Sequence, residues 1–184
     1  QTQEMVKDVV RQTGRIDILV NNAGISRYRP FAETTSEDWN AVLDVDLKGV
    51  FFCAQSVAPH MIAQGYGRIV NISSALGPGA APHGTAGSPG GSSAYASAKA
   101  GVIMLTKTLA RELGPSGVTV NCVAPGTFLT PISASSRSPE QVHEHLLGIE
   151  RQRQAPVIHR EVLTVKLAAC GRSGGFGAVG RARD

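Results

Sequence analysis

The sequence predicts an α/β fold, an open doubly wound sheet of parallel strands, and three observations predict it. Short β-rich apolar runs alternate with longer segments of helical apolar spacing. Strands joined through helices of that length pair in parallel by crossovers, with helices on both faces of the sheet. Each run also ends in small or polar residues: Asn21 to Gly24, then Ser73 and Ser74, then Pro125 and Gly126. Loops beyond the carboxyl ends of such strands line one crevice, where these sheets bind ligands.

Val6, Val9 and Val10 recur at near-helical spacing and Gly14 is a left-handed stop, so the chain opens inside a helix. The first residue is Gln1 rather than Met, which reads as a fragment or a processed product. Ile16 to Val20 is a short buried strand. Ser36 caps a helix through Glu37, Asp38 and Trp39, and the apolar pattern resumes from Leu47 through Val50, Phe51, Phe52 and Val57 to Met61 and Ile62, closed by Gly65 and Gly67. Arg68 to Ile72 is a second strand and Val118 to Val123 a third, with a helix from Ser93 to Leu113 between them.

Leu76 to Ser92 holds six glycines and too few large apolar groups to join a core. Ser138-Pro139-Glu140-Gln141 has the form of a capping box opening a helix to Ile149. Beyond it periodicity fades, and Gly171 to Gly180 holds five glycines. The expected organisation is one domain over residues 1–150 and a divergent basic, Gly-rich tail over 151–184, since 184 residues suffice for one domain with a core.

The net charge of +4 and pI near 9.2 raise the question of a nucleic-acid partner. Residues 151–184 carry 7 basic and 2 acidic residues, leaving 11 and 12 in the first 150, a net charge of −1 there. The basicity belongs to the tail, whose scattered arginines have no aromatic platform, so nucleic acid is not expected. Cys53, Cys122 and Cys170 are odd in number and lack a Cys-x-x-Cys pair, which argues against a disulfide framework and a zinc site and suits a reducing cytoplasm. His143 and His145 point to different helix faces, so no metal is expected. No run approaches about 18 uninterrupted apolar residues, so no membrane partner is expected either.

Tyr95 and Lys99 carry the chemistry. Four residues apart on one helix, they stand one above the other. A phenol near pKa 10 is a poor base at neutral pH, but an ammonium held close favours phenolate and should lower that pKa toward the working range. The bare pair equally describes a surface Tyr and Lys that happen to meet. Its companions decide: Asn21-Asn22-Ala23-Gly24 after one strand, Ser73-Ser74 after the next, Tyr-x-x-x-Lys, then Pro125-Gly126, in that order.

With these motifs the sequence resembles the classical short-chain dehydrogenase/reductase family, from about Gln1 to Pro131, and its core is similar to the 3-oxoacyl reductases. The resemblance implies a Rossmann-like sheet and an NAD- or NADP-dependent oxidoreductase acting on an alcohol or carbonyl. It implies Tyr95 as proton donor and acceptor, Lys99 as the group that lowers the Tyr95 pKa and holds the nicotinamide ribose, and Ser74 as the hydroxyl that orients the substrate oxygen. It implies that Asn21, Asn22, Ala23 and Gly24 lie beside the adenosine half, that Pro125 and Gly126 border the nicotinamide, and that Phe128 and Thr130 reach the carboxamide. It also implies a homo-oligomer in the complete protein, through the Leu47 to Ile62 and Ser93 to Leu113 helices.

The chain departs from the family in four places. Nothing before Gln1 supplies the first strands and the glycine-rich turn that anchors the pyrophosphate, so the sheet is expected to be incomplete on its amino-terminal side, with Ile16 to Val20 an exposed edge. Asp46 stands where the family carries an Asn of the proton relay, and a carboxylate only accepts where an amide also donates. The run from Ser74 to Tyr95 is about eight residues longer than the family norm, which reads as a surface insertion or a lid. The closing strand is missing, although Val165 to Ala169 followed by Gly171-x-x-x-Gly175-x-Gly177 has the spacing of the absent phosphate turn. Two functional readings stand: an oxidoreductase, and an inactive remnant that keeps only assembly surfaces.

Overall fold

A computed structural model describes residues 2–77, 93–126 and Glu140. Helix α1 (Thr2–Thr13) buries Val6 and ends at Gly14, whose φ of 77° suits a residue without a Cβ. Strand β1 (Ile18–Asn21) follows, then a 3-10 turn at Phe31–Glu33 and helix α2 (Ser36–Leu43). The cap of α2 is Thr35 rather than Ser36: its Oγ1 accepts the Asp38 backbone N–H at 3.1 Å and donates to Asp38 Oδ2 at 2.9 Å. The Thr35 hydroxyl first, then Arg29 and Arg27 at 2.7 and 3.6 Å, hold the Asp38 carboxyl below its usual range.

The chain then widens into a π-helical turn over Asp44–Gly49 before helix α3 (Val50–Gln64). Gly65 stops α3 at φ 63°, and β2 (Gly67–Ile72) leads toward α4 (Ser93–Leu113). A 3-10 turn at Gly114–Ser116 opens β3 (Val118–Val123). The three strands run parallel in the order β1-β2-β3, with Leu19 beside Ile69 and Ile69 beside Val120. The α/β class with a parallel sheet is as the sequence implies.

Ile69, Val118, Val120 and Cys122 point to one face, and the core gathers there. Val6 of α1, Val57 and Met61 of α3 and Leu113 of α4 pack on it, and Val102 and Ile103 of α4 meet Cys122 farther along. Gly67 makes this packing possible, because a Cβ there would fall 2.5 Å from Met61 Sδ. At the carboxyl ends of the strands the same face turns polar. Asn21 donates to Asn71 at 2.9 Å, Asn71 donates to Thr106 at 2.9 Å, and Thr106 donates to the Val102 carbonyl at 2.7 Å. Every link is buried, so each polar group must find its partner inside the protein.

Among the described residues, the helices that pack on the strands do so on this one face. The two core clusters that include strand residues draw on this face, while on the opposite face Val70, Ile72 and Val123 are half-buried and Ile18 and Val20 are 63% and 55% exposed. Among the described residues β1 is the edge of the sheet, and its Ile18 and Val20 side chains are uncovered while Leu19 packs on the core. An edge of this kind templates pairing with other chains. Expressed alone, the chain should therefore self-associate, and the double variant Ile18→Lys, Val20→Lys should raise its monomeric fraction in size-exclusion and light-scattering measurements. A monodisperse unaltered chain would show the edge to be harmless.

No helix among the described residues is long and apolar enough to cross a membrane. Of the helix read over Ser138 to Ile149 only Glu140 is described, in helical conformation. The excursion beyond Gly77, Phe128, Thr130, His143, His145, Cys170 and the tail over 151–184 lie outside the described residues.

Candidate active site

Three loops at the carboxyl ends of the strands and one face of α4 build the site. Ser73 follows the end of β2, and its N–H continues the ladder to the Val123 carbonyl at 2.7 Å. Its hydroxyl is buried and donates to the Lys99 backbone carbonyl at 2.8 Å, which pins α4 to the strand end. Gly77 packs against the same carbonyl, and a Cβ there would lie 2.9 Å from the Lys99 carbonyl carbon. The Ala75 N–H reaches the Pro125 carbonyl at 2.9 Å and so joins the loop after β2 to the loop after β3.

Tyr95 and Lys99 share one face of α4, as their spacing requires. The Ser74 hydroxyl lies near enough to the Tyr95 phenol to favour its ionised form. Lys99 is buried, donates from Nζ to the Ile72 carbonyl at 3.1 Å, and holds Nζ over the Tyr95 ring, 5.4 Å from its centroid.

Asp46 completes the cluster. The π-helical turn carries its side chain inward until none of it is exposed. Such turns add one residue to a helical circuit and re-aim the side chains they carry. Asp46 Oδ1 accepts the Ile25 backbone N–H at 2.7 Å, and Oδ2 forms an ion pair with Lys99 Nζ at 3.1 Å while accepting no aligned hydrogen bond. A Cβ at Gly24 would stand 3.1 Å from that oxygen and 3.3 Å from Nζ, so the backbone passes close to the pair only because Gly24 has none.

The electrostatics differ from the sequence expectation. Burial, the largest influence, pushes the Tyr95 phenol above its ordinary value; the Ser74 hydroxyl opposes this, and the Asp46 carboxylate and Tyr28 add to the rise. The expected lowering by Lys99 is not seen here, because the ammonium lies over the ring and is paired with Asp46. Cys122 faces the same ammonium, but burial dominates and pushes its thiol up.

Ser74, Tyr95, Lys99, Asp46, Gly24 and Pro125 are thus brought to one end of the sheet. Asn21 turns its amide inward to Asn71, and Asn22, Ala23 and Gly126 are exposed. Sequence reasoning missed Ser73, Tyr28 and the Ile25 N–H. The Ser73-Ser74 pair was the available signal for the first; nothing in the local pattern marks the other two.

A model of the short chain dehydrogenase family matches residues 1–141. The chain is 47% identical over 148 residues to the 3-oxoacyl-[acyl-carrier-protein] reductase FabG of Thermotoga maritima, a match covering 80% of this chain and 56% of that protein. Among solved structures it is similar to a gluconate 5-dehydrogenase from Burkholderia cenocepacia in complex with NADP and tartrate, at 38% identity and a TM-score of 0.66, covering 73% of this chain and 50% of that one. It is also similar to an NAD+-bound xylitol dehydrogenase, at 33% identity and a TM-score of 0.64, covering 75% and 54%. The chain spans about half the length of the curated relatives it matches.

Proposed function

This chain belongs to the short-chain dehydrogenase family, and from that premise we propose that it carries the proton-transfer side of an NAD- or NADP-dependent oxidoreductase that interconverts an alcohol and a carbonyl. The observation that carries the reading is the convergence of Ser74, Tyr95 and Lys99 at the carboxyl end of the sheet. The relatives' names, a 3-oxoacyl reductase and two sugar-type dehydrogenases, share that chemistry while differing in substrate.

The residues present fit the riboside end of a nicotinamide cofactor. Gly24 leaves beside Lys99 a space that any Cβ would fill, and an ammonium and a phenol there are groups that bind hydroxyls. Lys99 and Tyr95 would hold the ribose, Pro125 and Gly126 the nicotinamide, and Asn22 to Gly24 the adenosine side, with Asn21 contributing through its backbone. Phe128 and Thr130 are assigned to the carboxamide by the resemblance. When bound, the nicotinamide supplies the hydride in reduction and takes it in oxidation.

The chain's own residues handle the proton. Ser74 Oγ holds the substrate oxygen beside the Tyr95 hydroxyl, and Tyr95 gives that oxygen its proton as the carbonyl becomes an alcohol, or takes it back in the reverse direction. Burial favours the neutral phenol, the form ready to donate.

A second surface supports assembly into a homo-oligomer. Leu43, Leu47, Phe51, Phe52 and Leu105 line an apolar groove of about 510 Å³ between the π turn, α3 and α4, and Met104 is exposed on α4. Exposed aromatic and aliphatic groups on these helices support pairing with a second copy. The free thiols of Cys53 and Cys122 suit the cytoplasm. The family match gives no support to a remnant that keeps only assembly surfaces.

The test is a calorimetric titration of NADH and NADPH into this chain and into a form carrying a relative's amino-terminal region before Gln1. Binding is expected for the extended form, more than tenfold weaker for the chain alone, and turnover of a ketone only where binding occurs. No binding by either form would sink the reading.

A further inference from the structure

The carboxylate beside Lys99 is the feature the reaction described above does not use. Asp46 is wholly buried, reaches Lys99 Nζ at 3.1 Å through Oδ2, and takes the Ile25 N–H at 2.7 Å through Oδ1. One side chain therefore ties together the π turn, the loop after β1 and the middle of α4. A buried charge pair of this kind is costly to break from one side, because the remaining charge has no solvent to turn to.

We propose that Asp46 is a positioning residue that clamps the Lys99 ammonium and cancels its charge at the phenol, so that Tyr95 serves as a proton donor and the site favours carbonyl reduction. The proposal rests on the oxidoreductase reading and adds a direction to it. In reduction the Tyr95 O–H bond breaks and its proton goes to the substrate oxygen, while the hydride from reduced nicotinamide forms the new C–H bond. Oxidation needs the phenolate first, and a compensated ammonium does little to produce it.

Among the described residues, four side chains face the phenol. Ser74 approaches from the end of β2, Tyr28 from the loop after β1, Asp46 from the π turn and Lys99 from α4 itself. Cys122 of β3 lies within electrostatic reach of the ammonium. Among the described residues, Lys99 and Asp46 form the ion pair of this group, so removing the carboxylate leaves the ammonium to act on the phenol.

Tyrosine ring-carbon NMR on the extended form, unaltered and as Asp46→Asn, reads the effect without cofactor. The Tyr95 midpoint, assigned by its loss in Tyr95→Phe, should fall by about one pH unit or more in Asp46→Asn, while the exposed Tyr66 stays put. An unmoved or raised Tyr95 midpoint overturns the clamp. A second measurement needs no carboxylate variant: in lysine side-chain 15N spectra, the Lys99 ammonium should exchange its protons with water far more slowly than exposed Lys7 and Lys48. Equal exchange overturns the clamp as well. In an active extended form, the pH midpoint for alcohol oxidation should move down with Tyr95 in Asp46→Asn. If no form turns over a carbonyl, the reaction reading fails, and the phenol and ammonium measurements still decide the clamp.

Discussion

Tyr95→Phe is expected to lower kcat for carbonyl reduction by about 10²–10⁴-fold in an extended, cofactor-binding form, the range typical for loss of a positioned general acid. The substitution removes one hydroxyl and leaves the ring that lies under the Lys99 ammonium. The fold should therefore survive, with a stability change within about 1.5 kcal/mol, since only one hydroxyl with its polar contacts is lost. Steady-state rates with a ketone substrate, read beside a circular-dichroism melt, separate the two effects. A Phe variant that keeps more than a tenth of the rate would move the proton source away from Tyr95. A variant that melts early would show the hydroxyl to be structural.

Gly117→Ala should cause the largest loss of stability of any single methyl addition at the described glycines. Gly117 has φ 79°, and a Cβ there would overlap the Gly65 carbonyl oxygen and stand 3.0 Å from its carbon. Both obstacles are backbone, so no side chain can swing aside. Left-handed strain costs about 1–2 kcal/mol and forced displacement about 1–3 more. Gly14→Ala is the matched control. Its φ is 77°, but nothing lies within 4 Å, so it should lose only the strain. Urea unfolding of the two variants should differ by the cost of the clash, and equal losses would mean that the turn before β3 yields.

Val118 to Val123 and Ser93 to Leu113 were legible to the residue, because a β-branched run behind Gly117 and a long helical stripe leave little choice of boundary. The order of the motif-bearing loops was legible too, and it placed Ser74, Tyr95, Lys99 and Pro125 at one end of the sheet. The π turn was not. Leu43, Leu47 and Val50 keep an apolar spacing that an ordinary helix also shows, and the extra residue in the circuit changes only where Asp46 points. The cap moved by one position because Thr35 and Ser36 both offer a hydroxyl. The Tyr95 shift was misjudged because four-residue spacing tells how near the ammonium is, not what already neutralises it.

The uncovered sheet face was half-legible. Arg68, Thr119 and Asn121 mark it as polar, but Val70, Ile72 and Val123 lie between them and argue for burial. Alternation along a strand tells one face from the other only when the two differ in polarity throughout.

The buried chain from Asn21 through Asn71 to Thr106 bears on how the sheet finds its alignment. Apolar side chains on neighbouring strands tolerate a sliding error, since one valine replaces another. Amides do not. Shift β1 by one residue and Asn21 faces away from the core; shift it by two and the Asn71 carbonyl meets Leu19 or the exposed loop instead. Each orphaned group costs about 1–3 kcal/mol in a place without water. The three polar side chains therefore work like a key with one seating, and amide exchange at Asn71 should be among the slowest in the protein.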